Sequence, residues 1–134
     1  MITEKQIAAL ATDEKHMVMW DIDSVLEDLR STPSVSVSTT KLIPQNWLTI
    51  DREYARTTDP SKPIVLFELP ENKAYIADGN HRLYRAVLEE IPQMNVVFIP
   101  ERIHLKYLFR CSVADYHDVI RGLMTEHIFI DSPF

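Results

Sequence analysis

The chain is short of glycine, of cysteine and of positive charge. It holds two glycines and one cysteine in 134 residues, and 14 Lys and Arg against 20 Asp and Glu. A lone cysteine, Cys111, excludes an internal disulfide. Its neighbours Phe109, Arg110, Ser112 and Val113 make no reactive setting, so it reads as a small buried residue. A net charge of -6 argues against extended nucleic-acid contact, which needs clustered Lys and Arg. It leaves room for a local phosphate site, and an acidic surface also suits docking on a basic protein partner. No apolar run approaches the length of a bilayer span, so no membrane role is expected. The first fifteen residues carry acids early and have no sustained apolar stretch, unlike a secretory signal, and the expectation is a cytoplasmic protein. Repeats, heptads and low-complexity tracts are also lacking. His16, His104, His117 and His127 show no metal-ligand spacing and read as surface or core residues.

What is present suits one domain over residues 1–134, with 46% hydrophobic and 25% charged residues. Thr3 and Gln6 fit a capping box, and Ile7, Leu10 and Ala11 follow at helical spacing, which predicts a helix over 4–15. Ile22, Val25, Leu26 and Leu29 form the apolar stripe of a second helix, capped by Asp21 or Asp23 and stopped by Pro33. Val35 and Val37 alternate with serines in a short strand. Residues 42–63 read as irregular, with Trp47, Leu48 and Ile50 pinned to the core and an exposed loop over 57–63. "PIVLFELP" is apolar throughout and predicts a strand buried on both faces; "PENK" turns the chain and "AYIAD" returns it. A helix from His81 to Pro92 and a strand "MNVVFIP" follow. "ERIHLKYLFR" is ambiguous. Ser112 and Asp115 open a last helix, and "IFIDSPF" reads as an edge strand.

The stretch that ordinary packing does not explain is "AYIADGNHRLYRAV", residues 74–87, where one of the two glycines meets a carboxylate, an amide, an imidazole and a guanidinium. A strand that passes through Asp-Gly straight into a helix exposes the first N–H groups, which lack intrahelical partners and carry the positive end of the dipole. Gly79 permits a sharp turn and close approach of a ligand. Together these make an anion site. Arg82 offers a planar fork for phosphate oxygens and Arg85, one turn on, a second cation. His81 can donate a hydrogen bond or move a proton, Asn80 can cap the helix or bond a ligand hydroxyl, and Asp78 can hold a magnesium ion or act as base. The plainer alternative keeps Asp78 as an N-cap, Gly79 as a turn residue, and Arg82 and Arg85 as a solvated face paired with Glu89.

"ADGNHRLYRA" resembles the signature of the ParB/sulfiredoxin superfamily, a Gly-x-x-Arg motif where a strand enters a helix. It is closest to the Asp-Gly-His-His-Arg form of the archaeal free serine kinases and differs at Asn80. The likeness extends over about residues 40–100 in the order strand, hairpin, motif, helix, strand. It implies a compact α+β domain with a small mixed sheet flanked by helices. It further implies a phosphorylated ligand or nucleotide, ATP or another with magnesium, held at Gly79, Asn80, His81, Arg82 and Arg85. Asp78 and His81 would be the catalytic pair, and Asp78 the contact to the nucleotide's magnesium. Phosphotransfer or nucleotide hydrolysis is the reaction class. The sulfiredoxin cysteine falls at Asn80, which argues against sulfinic acid reduction. ParB centromere binding uses a helix-turn-helix, for which the residues after Pro100 are too few and too acidic. The serine kinases use an upstream glutamate, and Asp51 and Glu53 lie upstream here. Two alternatives stand beside this reading: a non-catalytic acidic interaction protein of the immunity or inhibitor type, and a ParB-like nuclease.

Overall fold

The computed structural model describes residues 6–47 and 50–134. Seven strands and five α-helices make up an α+β fold over those residues. The chain opens with a hairpin of β1 (Ile7–Ala11) and β2 (Met17–Asp21), paired antiparallel from Ile7 opposite Asp21 to Ala11 opposite Met17. This corrects the helix expected over 4–15, whose cap Thr3 lies outside the described residues. Ala8, Leu10, Val18 and Trp20 are buried while Ala9, Ala11 and Met17 are exposed, a period of two. The turn is set by Asp13, whose Oδ1 accepts the backbone N–H groups of Lys15 and His16, each at 2.8 Å. Ala, Glu, Lys and Gln favour helix locally, and burial of the alternating face overrides them.

Helix α1 (Ile22–Asp28) follows without a linker, capped by Asp21 through the N–H of Ser24 at 3.1 Å. A five-stranded mixed sheet is built from β3 (Val35–Ser38), β4 (Ile64–Leu69), β5 (Lys73–Asp78), β6 (Gln93–Ile99) and β7 (Ile130–Asp131), in the order β3-β6-β4-β5-β7. Among the described strands of this sheet only β4 and β6 run parallel. The crossover between β5 and β6 is helix α3 (Asn80–Leu88), and helix α2 (Arg52–Arg56) interrupts the segment expected to be irregular. Leu48 lies outside the described residues. Trp47 and Ile50 are half-buried, Trp47 against the core. The ambiguous stretch forms α4 (Glu101–His104) and a 3-10 turn over Leu105–Tyr107. Helix α5 (Val113–Leu123) carries the expected Ser112–Asp115 capping box.

Strand β4 shows why its sequence is apolar throughout. Ile64 and Leu66 face one core with Leu83 and Ala86 of α3, Val37, Met94 and Val96. Val65, Phe67 and Leu69 face the other, with the hairpin, α1 and α5. Trp20 is the hub of the second core, its ring 5.3 Å from Phe67, 5.7 Å from Tyr75 and from His104, and 5.9 Å from Tyr116. Burial pushes the Tyr75 hydroxyl up to about 12. The half-buried Cys111 packs on this core, its Sγ donating to the Met19 carbonyl at 3.4 Å.

Candidate functional site

The end of β5 is irregular before the motif begins. Val65 pairs with Asp78 but Leu66 with Ile76, which leaves Ala77 as an extra residue, a bulge next to the turn. Gly79 then adopts φ 105° and ψ 15° and is the N-cap of α3. A Cβ there would lie 2.9 Å from Nη2 and 3.2 Å from Nε of Arg82, and 3.1 Å from Cγ1 of Ile64. Glycine is therefore required twice, for its left-handed backbone and for the room it leaves the guanidinium.

Arg82 folds back over the bend. Its Nη2 donates to Oδ2 of Asp78 at 2.8 Å, with the two side chains 17% and 18% exposed. The other oxygen of Asp78 accepts Nε2 of Gln6 at 3.0 Å. Asp78 is thus no N-cap: among the described residues no side chain caps α3. Nε of Arg82 is buried and lacks a hydrogen-bond partner among the described residues.

Asn80 is the first helical residue and faces inward. Its Oδ1 accepts Nε1 of Trp47 at 3.2 Å and its Nδ2 donates to the Ile76 carbonyl at 3.3 Å. It is neither cap nor open hydrogen-bonding group. His81 holds the start of α2 in place: its Nε2 accepts the Asp51 N–H at 3.1 Å, and its ring meets Tyr54 edge-on at 4.8 Å. With Nε2 accepting, the neutral ring carries its proton on Nδ1. Arg85 donates from Nη1 to the Thr58 carbonyl and from Nε to Glu89 at 3.3 Å, so it ties the loop over 57–63 to α3.

These elements border an open cavity of about 420 Å³, lined by Gly79, Asn80, His81, Arg82 and Asp78 together with Gln6, Lys62 and Asp59. Lys62 and Asp59 were not among the residues expected. The antiparallel register of β4 and β5 brings them here, since the loop that feeds β4 ends beside the residue that closes β5. The Ser61 hydroxyl at 2.6 Å and its N–H at 3.0 Å hold the Asp59 carboxyl below its ordinary range. The upstream acids serve elsewhere: Asp51 caps α2 through the N–H groups of Glu53 and Tyr54, and Glu53 pairs with Arg56 at 3.4 Å.

Two cations, Lys62 and Arg82, and two carboxylates, Asp59 and Asp78, therefore face one space at the positive end of a nine-residue helix. Among the described residues no group of three or more His, Cys, Asp or Glu is arranged to hold a metal ion. A divalent ion there would have two carboxylates near it and would need phosphate oxygens or water to complete its shell. No helix among the described residues is long and apolar enough to cross a membrane. Comparisons of this chain with protein-family models, with curated proteins and with solved structures find no match.

Proposed function

We propose that this chain is a domain of the ParB/sulfiredoxin type that binds the phosphate of a phosphorylated ligand or nucleotide at the start of α3. One observation carries the reading: a helix N-terminus with no side-chain cap among the described residues opens from a left-handed glycine onto a 420 Å³ cavity that also receives Lys62 and Arg82. The order β4, hairpin, β5, motif, α3, β6 supports it, being the order the resemblance implies. The N–H groups that follow Gly79 would take phosphate oxygens, and Arg82 would exchange Asp78 for the ligand. That exchange would free the Asp78 carboxylate to accept a proton from an attacking hydroxyl or water, giving phosphotransfer or hydrolysis. His81 would position the ligand from Nδ1 while Nε2 stays on Asp51. A magnesium ion carried in with ATP or another nucleotide would meet Asp78 and Asp59 and offset charge on the phosphates. The test is thermal shift and calorimetry with ATP, other nucleotides and inorganic phosphate, each with and without magnesium. A ligand at about 100 times its Kd stabilises the fold by about 2.7 kcal/mol. Lys62→Ala should weaken binding without changing the melting temperature of the free protein. No shift with any of these at millimolar concentration overturns the proposal.

A second reading is favoured by the closed Gln6–Asp78–Arg82 contact, in which both oxygens of Asp78 are already occupied by the protein's own side chains. In it the domain is an acidic interaction protein and the motif holds the helix start. A single stable, basic protein partner with no nucleotide binding would select it.

A further inference from the structure

A second cavity, of about 340 Å³, adjoins the first and shares Lys62, Asp78 and Arg82 with it. The Asp78–Arg82 pair stands between the two. Its walls are aliphatic: Val25, Leu26 and Leu29 from α1, Val65 from β4, and Val97 and Ile99 from β6. Among the described residues no aromatic side chain lines this aliphatic cavity, so it offers no ring for stacking a base. Its rim carries Arg30 and Lys62, neither of which makes an ion pair within 4 Å among the described residues. Leu26 is 37% exposed, an apolar side chain left in water beside that rim.

We propose that the ligand of this site is a phosphate ester with an aliphatic body. The phosphate occupies the cavity at α3 and the chain lies across the Asp78–Arg82 pair in the aliphatic cavity beneath α1. The inference rests on the phosphate reading above and narrows its substrate class. The polar end sets the orientation: Lys62 and Arg82, the two cations common to both cavities, stand at the start of α3, and Arg30 lies on the rim of the aliphatic cavity alone, whose remaining wall of Val25, Leu29, Val65, Val97 and Ile99 offers hydrocarbon.

Calorimetric titration of the full chain with inorganic phosphate and with ethyl, butyl and hexyl phosphate tests it. Affinity should rise with chain length by about fourfold per methylene buried. Leu26→Asp should reduce hexyl phosphate to the affinity of inorganic phosphate. Pro63→Asp serves if that variant fails to fold, since Pro63 also lines this cavity and is exposed. Phosphate binding with no dependence on chain length overturns this inference and leaves the phosphate site standing. Chain-length dependence that survives both substitutions places the body elsewhere and also overturns it. Absence of binding by phosphate and all its esters overturns both.

Discussion

The guanidinium of Arg82 occupies the space that a side chain on Gly79 would need. Its Nη2 lies 2.9 Å from where that Cβ would sit. The arginine reaches this place because a partly buried carboxylate, Asp78, lies one residue before the bend and binds it at 2.8 Å. Bend, arginine and carboxylate form one unit, and the absence of a side chain at position 79 is its condition.

Gly79→Ala is therefore expected to destabilise the fold by about 1–3 kcal/mol, the range for a non-glycine residue forced into a sparsely populated backbone region. Part of that loss is steric and belongs to Arg82. In an Arg82→Ala background the same substitution should cost less. Urea melts of the four proteins in the cycle check it, and equal costs in both backgrounds would show that the guanidinium does not crowd the site.

Asp78→Asn separates the two uses of Arg82. The pair is over four-fifths buried on both sides, so a coupling near 1 kcal/mol is expected between Asp78→Asn and Arg82→Gln in a double-mutant cycle, at the top of the range for surface pairs. The same asparagine frees the guanidinium and removes a negative charge from the cavity. Inorganic phosphate should then bind about tenfold more tightly, the equivalent of about 1.4 kcal/mol. Any phosphotransfer or hydrolysis that uses the carboxylate as base should be lost. Calorimetry and a turnover assay read the two effects apart.

His104 makes stability depend on pH. It is wholly buried and stacked on Phe67 at 4.5 Å, Nε2 donates to the Glu68 carbonyl at 2.7 Å, and Nδ1 is buried without a partner among the described residues. Burial holds its pKa below the ordinary 6.5. The unfolded chain therefore takes up a proton that the folded chain refuses, and stability is retained above pH 6.5 and falls as the pH drops below it. His104→Gln keeps a donor for the Glu68 carbonyl and should flatten the decline in melting temperature between pH 7 and about 5. An unchanged slope would assign the acid sensitivity to other groups.

The other glycine answers to a different neighbour. A Cβ on Gly122 of α5 would lie 2.7 Å from Cγ2 of Thr12 at the tip of the first hairpin. Helix propensity favours alanine over glycine by about 1 kcal/mol, so Gly122→Ala sets a clash against a local gain. With Thr12→Ser, which removes the methyl group, the clash goes and the substitution should stabilise by about that amount. In the parent chain it should gain less or lose. Thermal melts of the four variants decide it.

Local chemistry was enough for much of this molecule. The apolar run of β4, the capping box of α5, the Asp-capped α1 and the strand-to-helix passage at Gly79 each arise from near neighbours in the chain, and their residues announce them. The first hairpin did not announce itself. Its alanines, glutamate and lysine are helix formers, and only the buried face shared by Ala8, Leu10, Val18 and Trp20 makes it a strand pair. The contents of the site were likewise decided at long range. That Asn80 turns to Trp47, that Gln6 closes on Asp78 across 72 positions, and that Lys62 and Asp59 stand beside the motif all depend on sheet register and on packing of the hairpin. Sequence sets which groups are available and where the backbone can bend, because those are properties of a few adjacent residues. Which groups meet is settled by burial over the whole chain.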